Sequence, residues 1–411
     1  MTEDRKLLES LLWRGCRDAV IKEDIQKQLA SGKKLRIKLG IDPTGSRIHI
    51  GHAAVIRKLA HFQKLGHKVV LIVGDFTAQI GDPSDKKAER PPLTHADVKK
   101  NMRTYKKQLS RLLNTWKAEV RYNNNWLGKM KFADVIELIQ PFSVAQMMER
   151  DNFALRHKEG KRVGLHELLY PIMQGYDSVA VKSDIEIGGT DQLFNLLTGR
   201  VVQLWHKQNK KYPGPIQDVI TYNLLIGPDG RKMSKSWGNC IWIDDEPNEM
   251  YGKLMSVNDE LIGDYFTLCT DVSDEELARA KEELAQGKNP RDLKARMAFE
   301  VTKVFHDADK AKAAADAFDK QFKKKEIPEK IEEFVFETPP KNIAEALYVS
   351  GVSESMSAGY RLVEQGGVRI NQKKVLDVAQ EIESGDTLQA GPRRFKKIII
   401  RGRIQKKEDG R

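Results

Sequence analysis

Cysteine is scarce. The 411 residues contain three, Cys16, Cys240 and Cys269, at spacings that suggest no pairing. Neither a disulfide framework nor a zinc site is supported, and no metal-ligating set is expected. Acidic charge is in deficit: 58 Asp and Glu stand against 70 Lys and Arg, a formal net charge of +12. That balance makes a polyanionic partner worth considering. No uncharged apolar run reaches membrane-spanning length, and the first residues, MTEDRKLLES, lack an apolar signal core. The expectation is a cytoplasmic protein in a reducing compartment, with no membrane association. Internal repeats and low-complexity tracts are absent too.

The length suggests two or three domains, and 40 % apolar residues suffice for a sizeable core. Residues 5–31 read as one amphipathic helix, with Leu7, Leu8, Leu11 and Leu12 among charges. LRIKLGID alternates. Leu35, Ile37, Leu39 and Ile41 share one face, and Arg36, Lys38, Gly40 and Asp42 the other, which predicts a strand. A turn through Pro43, Thr44, Gly45 and Ser46 leads to a helix from about His49 to Leu65 that stops at Gly66. KVVLIVGD follows as a buried parallel strand, completing a right-handed βαβ unit. SDIEIGG and QDVITYNLL read as further strands flanking the helix DQLFNLLTGRVVQLW. The fold class is therefore α/β, with a doubly wound parallel, Rossmann-like domain over residues 1–244. Residues 245–325 show only helical periods and predict an α-helical domain. Residues 326–342 are charged and proline-bearing and read as a linker. Residues 343–411 predict a small, basic α+β domain.

PTGSRIHIGHA places His49 and His52 three residues apart in the first turn of a helix after a strand. In a doubly wound sheet that is where unpaired amides face an anion. Gly51 lets a flat ring approach the backbone. A metal site would need a third ligand, which is not evident. Capping or surface histidines remain the plain alternative, and this motif alone does not decide. GRKMSKSWGN, residues 230–239, brackets Met233 and Ser234 with Lys232 and Lys235 in a glycine-rich loop after a strand of the same sheet. Such a loop is more often solvated surface. In YPIMQGYD, Tyr170, Gln174 and Asp177 fall on one helical stripe, a mixture of tyrosine, amide and carboxylate unlike a core stripe.

HIGH together with KMSKS is the paired signature of class I aminoacyl-tRNA synthetases, here letter for letter. YPIMQGYDS, GDFTAQIGDPSDKKAER, EIGGTDQ and the NNNWL run resemble the bacterial tyrosyl-tRNA synthetases over essentially the whole chain. SMSAGYRLVEQGGVRINQKKV resembles a small RNA-binding fold shared with a ribosomal protein. The resemblance implies a ligase that joins L-tyrosine to ATP as tyrosyl-adenylate, then to the 3′ adenosine of its tRNA. It implies ATP with Mg²⁺, no tightly bound cofactor, and a homodimer built through residues 95–148.

By the same resemblance, Thr44, His49, His52, Lys86, Arg90, Lys232 and Lys235 handle the triphosphate. Asp82, Tyr170 and Gln174 hold the α-ammonium, Gln192 the carboxylate end and Asp177 the phenol. Asp42, Gly51, Gly189, Asp191 and Lys235 serve ATP or the adenylate. Arg361, Arg369, Lys373, Lys374, Arg393 and Arg394 are the RNA-binding candidates. Many relatives carry a tyrosine where this chain has Lys38, so selection of the phenol rests more heavily on Asp177. Three rival readings are weighed: a synthetase for another aromatic amino acid, a cofactor-making nucleotidyltransferase, and a non-catalytic RNA-binding paralogue.

Overall fold

Strands form where the sequence alternates or runs apolar. In the computed structural model, which describes residues 3–84, 93–323, 331–375, 377–391 and 394–401, these are β1 (Cys16–Ala19), β2 (Arg36–Ile41), β3 (Lys68–Val73), β4 (Glu119–Tyr122), β5 (Ile185–Gly189) and β6 (Asp218–Tyr222). They make one sheet in the order β1-β6-β5-β2-β3-β4. β2 to β6 pair in parallel, and β1 lies antiparallel to β6 at the edge. The chain winds one way from β2 through β3 to β4, and the other way through β5 and β6. The switch point therefore falls between β2 and β5, where ligands bind beyond the strand carboxyl ends in such sheets.

The helix expected over residues 5–31 is instead broken. Helix Glu3–Trp13 stops, β1 intervenes, and helix Lys22–Ala30 follows. Gly15 makes the break with a φ of +72°, which an L side chain rarely adopts. A Cβ there would also meet Leu268 Cδ2 at 2.4 Å. Ile21, Ile25 and Leu29 keep a helical spacing beyond the interruption, which is why the sequence hides it.

The chain divides into two compact units, Met1–Ala315 and Asp316–Arg411. Within the first, the helices after residue 245 pack directly on the sheet layer: helix Ile262–Cys269 touches helix Ile50–Lys64. Arg57 Nη2 donates to Asp271 Oδ1 at 2.5 Å, linking the two parts. The second unit has its own sheet, β7 (Glu333–Phe336), β8 (Val368–Ile370), β9 (Lys373–Lys374), β10 (Thr387–Ala390) and β11 (Arg394–Ile400), ordered β7-β11-β10-β8-β9. Phe336, Ile343, Leu347, Val368, Leu388 and Ile398 build its core. The stretch 326–342, expected as linker, thus contributes β7, pairing in parallel with β11. Its flanking Lys, Glu and Pro obscure the short EFVF pattern. No helix among the described residues is long and apolar enough to cross a membrane.

Helix Leu165–Val181 crosses helix Leu193–Asn209 at glycine. A Cβ on Gly175 would lie 3.0 Å from Val202 Cγ2 and 3.2 Å from the Gly199 backbone. Backbone cannot retreat as a flexible side chain can. Gly175→Val is therefore expected to destabilise the first unit by about 1–3 kcal/mol, read from denaturant melts.

Candidate active site

The two signature loops lie almost 200 residues apart in the chain, yet main-chain bonds tie the histidine turn to the segment that directly follows the lysine loop. Ile50 N–H donates to Ile241 O at 2.9 Å, and Ile243 N–H to Ile48 O at 3.0 Å. Between these bonds His49 pairs with Trp242 as an antiparallel bridge. His49 caps helix Ile50–Lys64, its Nδ1 accepting from His52 N–H at 3.4 Å. The two rings stack with centroids 3.8 Å apart. Gly51 permits this: a Cβ there would lie 3.0 Å from His49 Nδ1. Thr44 is exposed at the same turn, its N–H bonded to Asp42 O.

The lysine loop is held at its base. Ile226 bridges Lys232, and Gly230 turns at a φ of +82°. Asn239 spans the loop, accepting from Ser234 N–H at 2.8 Å and donating to Asp229 Oδ1 at 2.8 Å and Lys232 O at 3.1 Å. Met233 plugs inward at 3 % exposure, while Lys232 and Lys235 face outward. The His49 imidazole titrates far below its usual range because it is desolvated, with the charges of His52 and Lys232 adding to the effect.

A polar pocket opens beside β2 and β5. Tyr170, Gln174 and Asp177 are all buried on helix Leu165–Val181. The Tyr170 hydroxyl donates to Asp42 Oδ2 at 2.9 Å, and Thr77 Oγ1 to Asp42 Oδ1 at 2.7 Å. Asp177 accepts from Trp126 Nε1 at 2.8 Å and Asn123 Nδ2 at 3.3 Å. Asp82 accepts from Gln192 Nε2 at 2.7 Å and Ser84 N–H at 2.9 Å, with Arg150 Nη2 at 3.7 Å. Asn195 Nδ2 joins Gln174 Oε1 and Gln192 Oε1, each at 3.0 Å. Gly189 and Asp191 close the β5 end, where a Cβ on Gly189 would meet Leu224 Cδ2 at 2.5 Å.

Charge in this pocket is unbalanced toward acid. Burial pushes Asp42 and Asp177 up to about 7 and Asp191 to about 6. Hydrogen bonds from Thr77 and Tyr170 resist the rise at Asp42; at Asp177 the Lys38 charge does so first, then Trp126 and Asn123. A cation entering here would relieve several desolvated carboxylates at once.

Among the described residues the structure gathers His49, His52, Thr44, Gly51 and Lys232 at one mouth, with Asp42, Asp82, Tyr170, Gln174, Asp177, Gly189, Asp191 and Gln192 in and around the adjoining pocket. Lys235 rides on a short 3-10 turn, Lys235–Trp237, of the same loop. Lys86, Arg90 and Arg393 lie outside the described residues. Arg361, Arg369, Lys373 and Lys374 are exposed on the second unit. Arg394 differs: its Nη1 donates to Val352 O at 2.6 Å, so part of its donor capacity serves the fold. Sequence reasoning missed Thr77, Arg150, Asn195 and Asn239. Asn123 and Trp126 were within reach, since the NNNWL run contains both.

Comparison with known proteins places the chain in a family. The family described as tRNA synthetases class I (W and Y) matches residues 30–323, and an S4 domain matches residues 343–388. The tyrosine–tRNA ligase of Thermotoga maritima is 45 % identical over 392 residues, 94 % of this chain and 96 % of that protein. That of Dehalococcoides mccartyi is 44 % identical over 402 residues, 97 % of this chain and all of the relative. Among solved structures, a C-terminally truncated mitochondrial tyrosyl-tRNA synthetase from Aspergillus nidulans aligns with a TM-score of 0.64 at 24 % identity, over 77 % of this chain and 94 % of that one. The match extends through both units at an identity well above what fold alone requires: the chain belongs to the class I aminoacyl-tRNA synthetases, among the tyrosine–tRNA ligases.

Proposed function

We propose a division of labour for tyrosine activation within this site. The observation that carries it is the main-chain pairing of the histidine turn with residues 241–243, directly after the lysine loop, beside a cluster of buried carboxylates. The tyrosine carboxylate attacks the α-phosphorus of ATP. The new carboxylate–phosphorus bond forms as the bond to the bridging oxygen breaks, and pyrophosphate leaves. No protein nucleophile is needed, only positioning and positive charge. His49 and His52 donate to phosphate oxygens, with Thr44 at the same turn. Lys232 and Lys235, joined by Lys86 and Arg90, neutralise the charge that develops on the departing pyrophosphate. ATP enters as its magnesium complex, the ion carried on the polyphosphate oxygens.

Asp82, Gln174 and the lone pairs of the Tyr170 hydroxyl take the α-ammonium, while Gln192 faces the carboxylate end. Asp177 accepts the phenol hydrogen. Asp42, Gly51, Gly189 and Asp191 receive the nucleoside and adenylate. In the second step a ribose hydroxyl of the terminal adenosine attacks the adenylate carbonyl, and AMP leaves. The second unit grips the tRNA through Arg361, Arg369, Lys373, Lys374, Arg393 and Arg394. Its Arg369 lies cross-strand from Lys374 and Gln389, a polar row suited to phosphate contact.

A second copy of the chain is proposed to cover the face that exposes Phe132 (80 %), Val144 (68 %) and Leu165 (79 %). Phe132 and Val144 fall in the expected 95–148 segment. A reducing, cytoplasmic setting suits three unpaired cysteines.

His52→Ala should slow single-turnover adenylation on the order of 10²-fold while changing tyrosine affinity little, because its interaction strengthens in the transition state. An unchanged rate would remove His52 from phosphate handling.

Asp177→Asn should cut the preference for tyrosine over phenylalanine by about tenfold or more, as a hydrogen bond to a charged acceptor is lost. It also carries a stability signature. A carboxyl raised from 3.8 to about 7 in the fold penalises folding fully above pH 7 and not at all below the unfolded value. The variant should therefore melt higher than the parent at pH 8, by roughly 2–4 °C per kcal/mol relieved, with the gap closing toward pH 4.

Because β7 belongs to the second sheet, a clean truncation falls ahead of it. Removing residues 324–411 should leave pyrophosphate exchange within about twofold of the parent, since nothing assigned to activation is lost, and depress tRNA charging sharply. The parent's tRNA affinity should fall steeply with salt. Equal charging by the truncated chain would assign the tRNA grip elsewhere.

A further inference from the structure

Lys38 and Glu186 are the one ion pair whose two side chains are both at 0 % exposure among the described pairs, with Nζ to Oε1 at 2.8 Å. Neither was assigned a task above. Lys38 Nζ also donates to Gln174 O at 2.9 Å and to Ser178 Oγ at 2.8 Å, so all three of its N–H bonds are placed. Glu186 is equally saturated. Besides Lys38, it accepts from Gln174 Nε2 at 3.3 Å, Ser178 Oγ at 3.0 Å and Gln217 Nε2 at 2.5 Å. The ammonium reaches no open space, so it cannot meet a substrate. Its two contacts on helix Leu165–Val181, residues 174 and 178, bracket Asp177 within one turn.

A lone buried salt bridge contributes little net stability against apolar residues of equal volume. This one joins three elements instead: β2 through Lys38, β5 through Glu186, and the helical turn carrying Gln174 and Asp177. From Gln174 the chain of bonds runs on through Asn195 and Gln192 to Asp82. Gln174 is thus bonded directly to the Lys38–Glu186 pair, Gln192 is reached from it through Gln174 and Asn195, and Asp82 through Gln192 in turn, while Asp177 is held by its place in the clamped turn.

We propose that Lys38, with Glu186, is a positioning element for tyrosine recognition, clamping the Gln174–Ser178 turn to β5 so that Gln174 and Asp177 meet the substrate in fixed register. This rests on the reading of Gln174 and Asp177 as tyrosine-binding residues. The clamp acts on the amino-acid side alone, because Lys38 and Glu186 bond to nothing in the histidine turn or lysine loop. Its loss therefore weakens tyrosine selectively.

The test uses the full chain in tyrosine-dependent ATP–pyrophosphate exchange, with melting curves in parallel. Lys38→Met combined with Glu186→Gln removes the pair without stranding a buried charge. It should raise KM for tyrosine about tenfold or more, with KM for ATP and kcat within about threefold, and narrow the ratio of tyrosine to phenylalanine use. Ser178→Ala removes one strut and leaves both charges. It should raise KM for tyrosine by a few-fold, and it decides the matter if the double variant fails to fold. Gln174→Ala probes the underlying reading. A parental tyrosine KM in the clamp variants beside a raised one in Gln174→Ala overturns the clamp alone. Parental values in all three overturn the pocket reading with it. Parallel loss of kcat and of both KM values, with a lowered melting temperature, overturns the clamp in favour of general support of the fold.

Discussion

A carboxylate taken out of water must find donors, find a cation, or give up its charge. That constraint organises this molecule. Glu186 finds a cation and three donors at the bottom of the sheet crevice. Asp177 finds an indole and an amide, and Asp42 two hydroxyls. The last two are incompletely compensated and titrate near neutrality. Buried carboxylates held in this way favour a cation or a hydrogen-bond donor, in keeping with the tyrosine-binding role proposed for them.

The phosphate end is organised by backbone. The 48–50 and 241–243 segments hydrogen-bond as neighbours, so the histidine turn and the lysine loop share one frame. The helical segment braces that frame from below: Tyr265 Oη donates to Ile226 O at 2.9 Å, and Asn258 N–H to Pro228 O at 2.9 Å. The lysine loop, proposed to bring positive charge to the polyphosphate, is therefore anchored at its base and exposed at its tip.

Much of this was legible in advance because the relevant signals are local. The alternation of LRIKLGID, the apolar run KVVLIVGD and the stop at Gly66 place β2, β3 and the helix between them. The Tyr170, Gln174, Asp177 stripe put three polar groups on one helical face, where the structure finds them. What stayed hidden depends on distant pairing. Nothing near Lys38 in the chain announces Glu186, about 150 residues on. Asn195 acts through a bond to Gln174 on another helix and Asn239 through bonds within its own loop, and asparagine in a loop or helix carries no periodic signature. The break at Gly15 and strand β7 were masked by composition: Ile21, Ile25 and Leu29 keep helical spacing past the first, and charges crowd the second.

The stacked histidines have a consequence for proton bookkeeping. Since Nδ1 of His49 accepts from the backbone N–H of His52, a neutral ring must carry its hydrogen on Nε2. Desolvation, with the charges of His52 and Lys232, holds that ring's pKa well below the usual imidazole range. The helix cap thus fixes one tautomer, and the nitrogen left outward is a donor that neither gains nor loses a proton near neutrality. The first histidine of the signature is thereby set apart from the carboxylates of the neighbouring polar cluster, which burial pushes up to about 7.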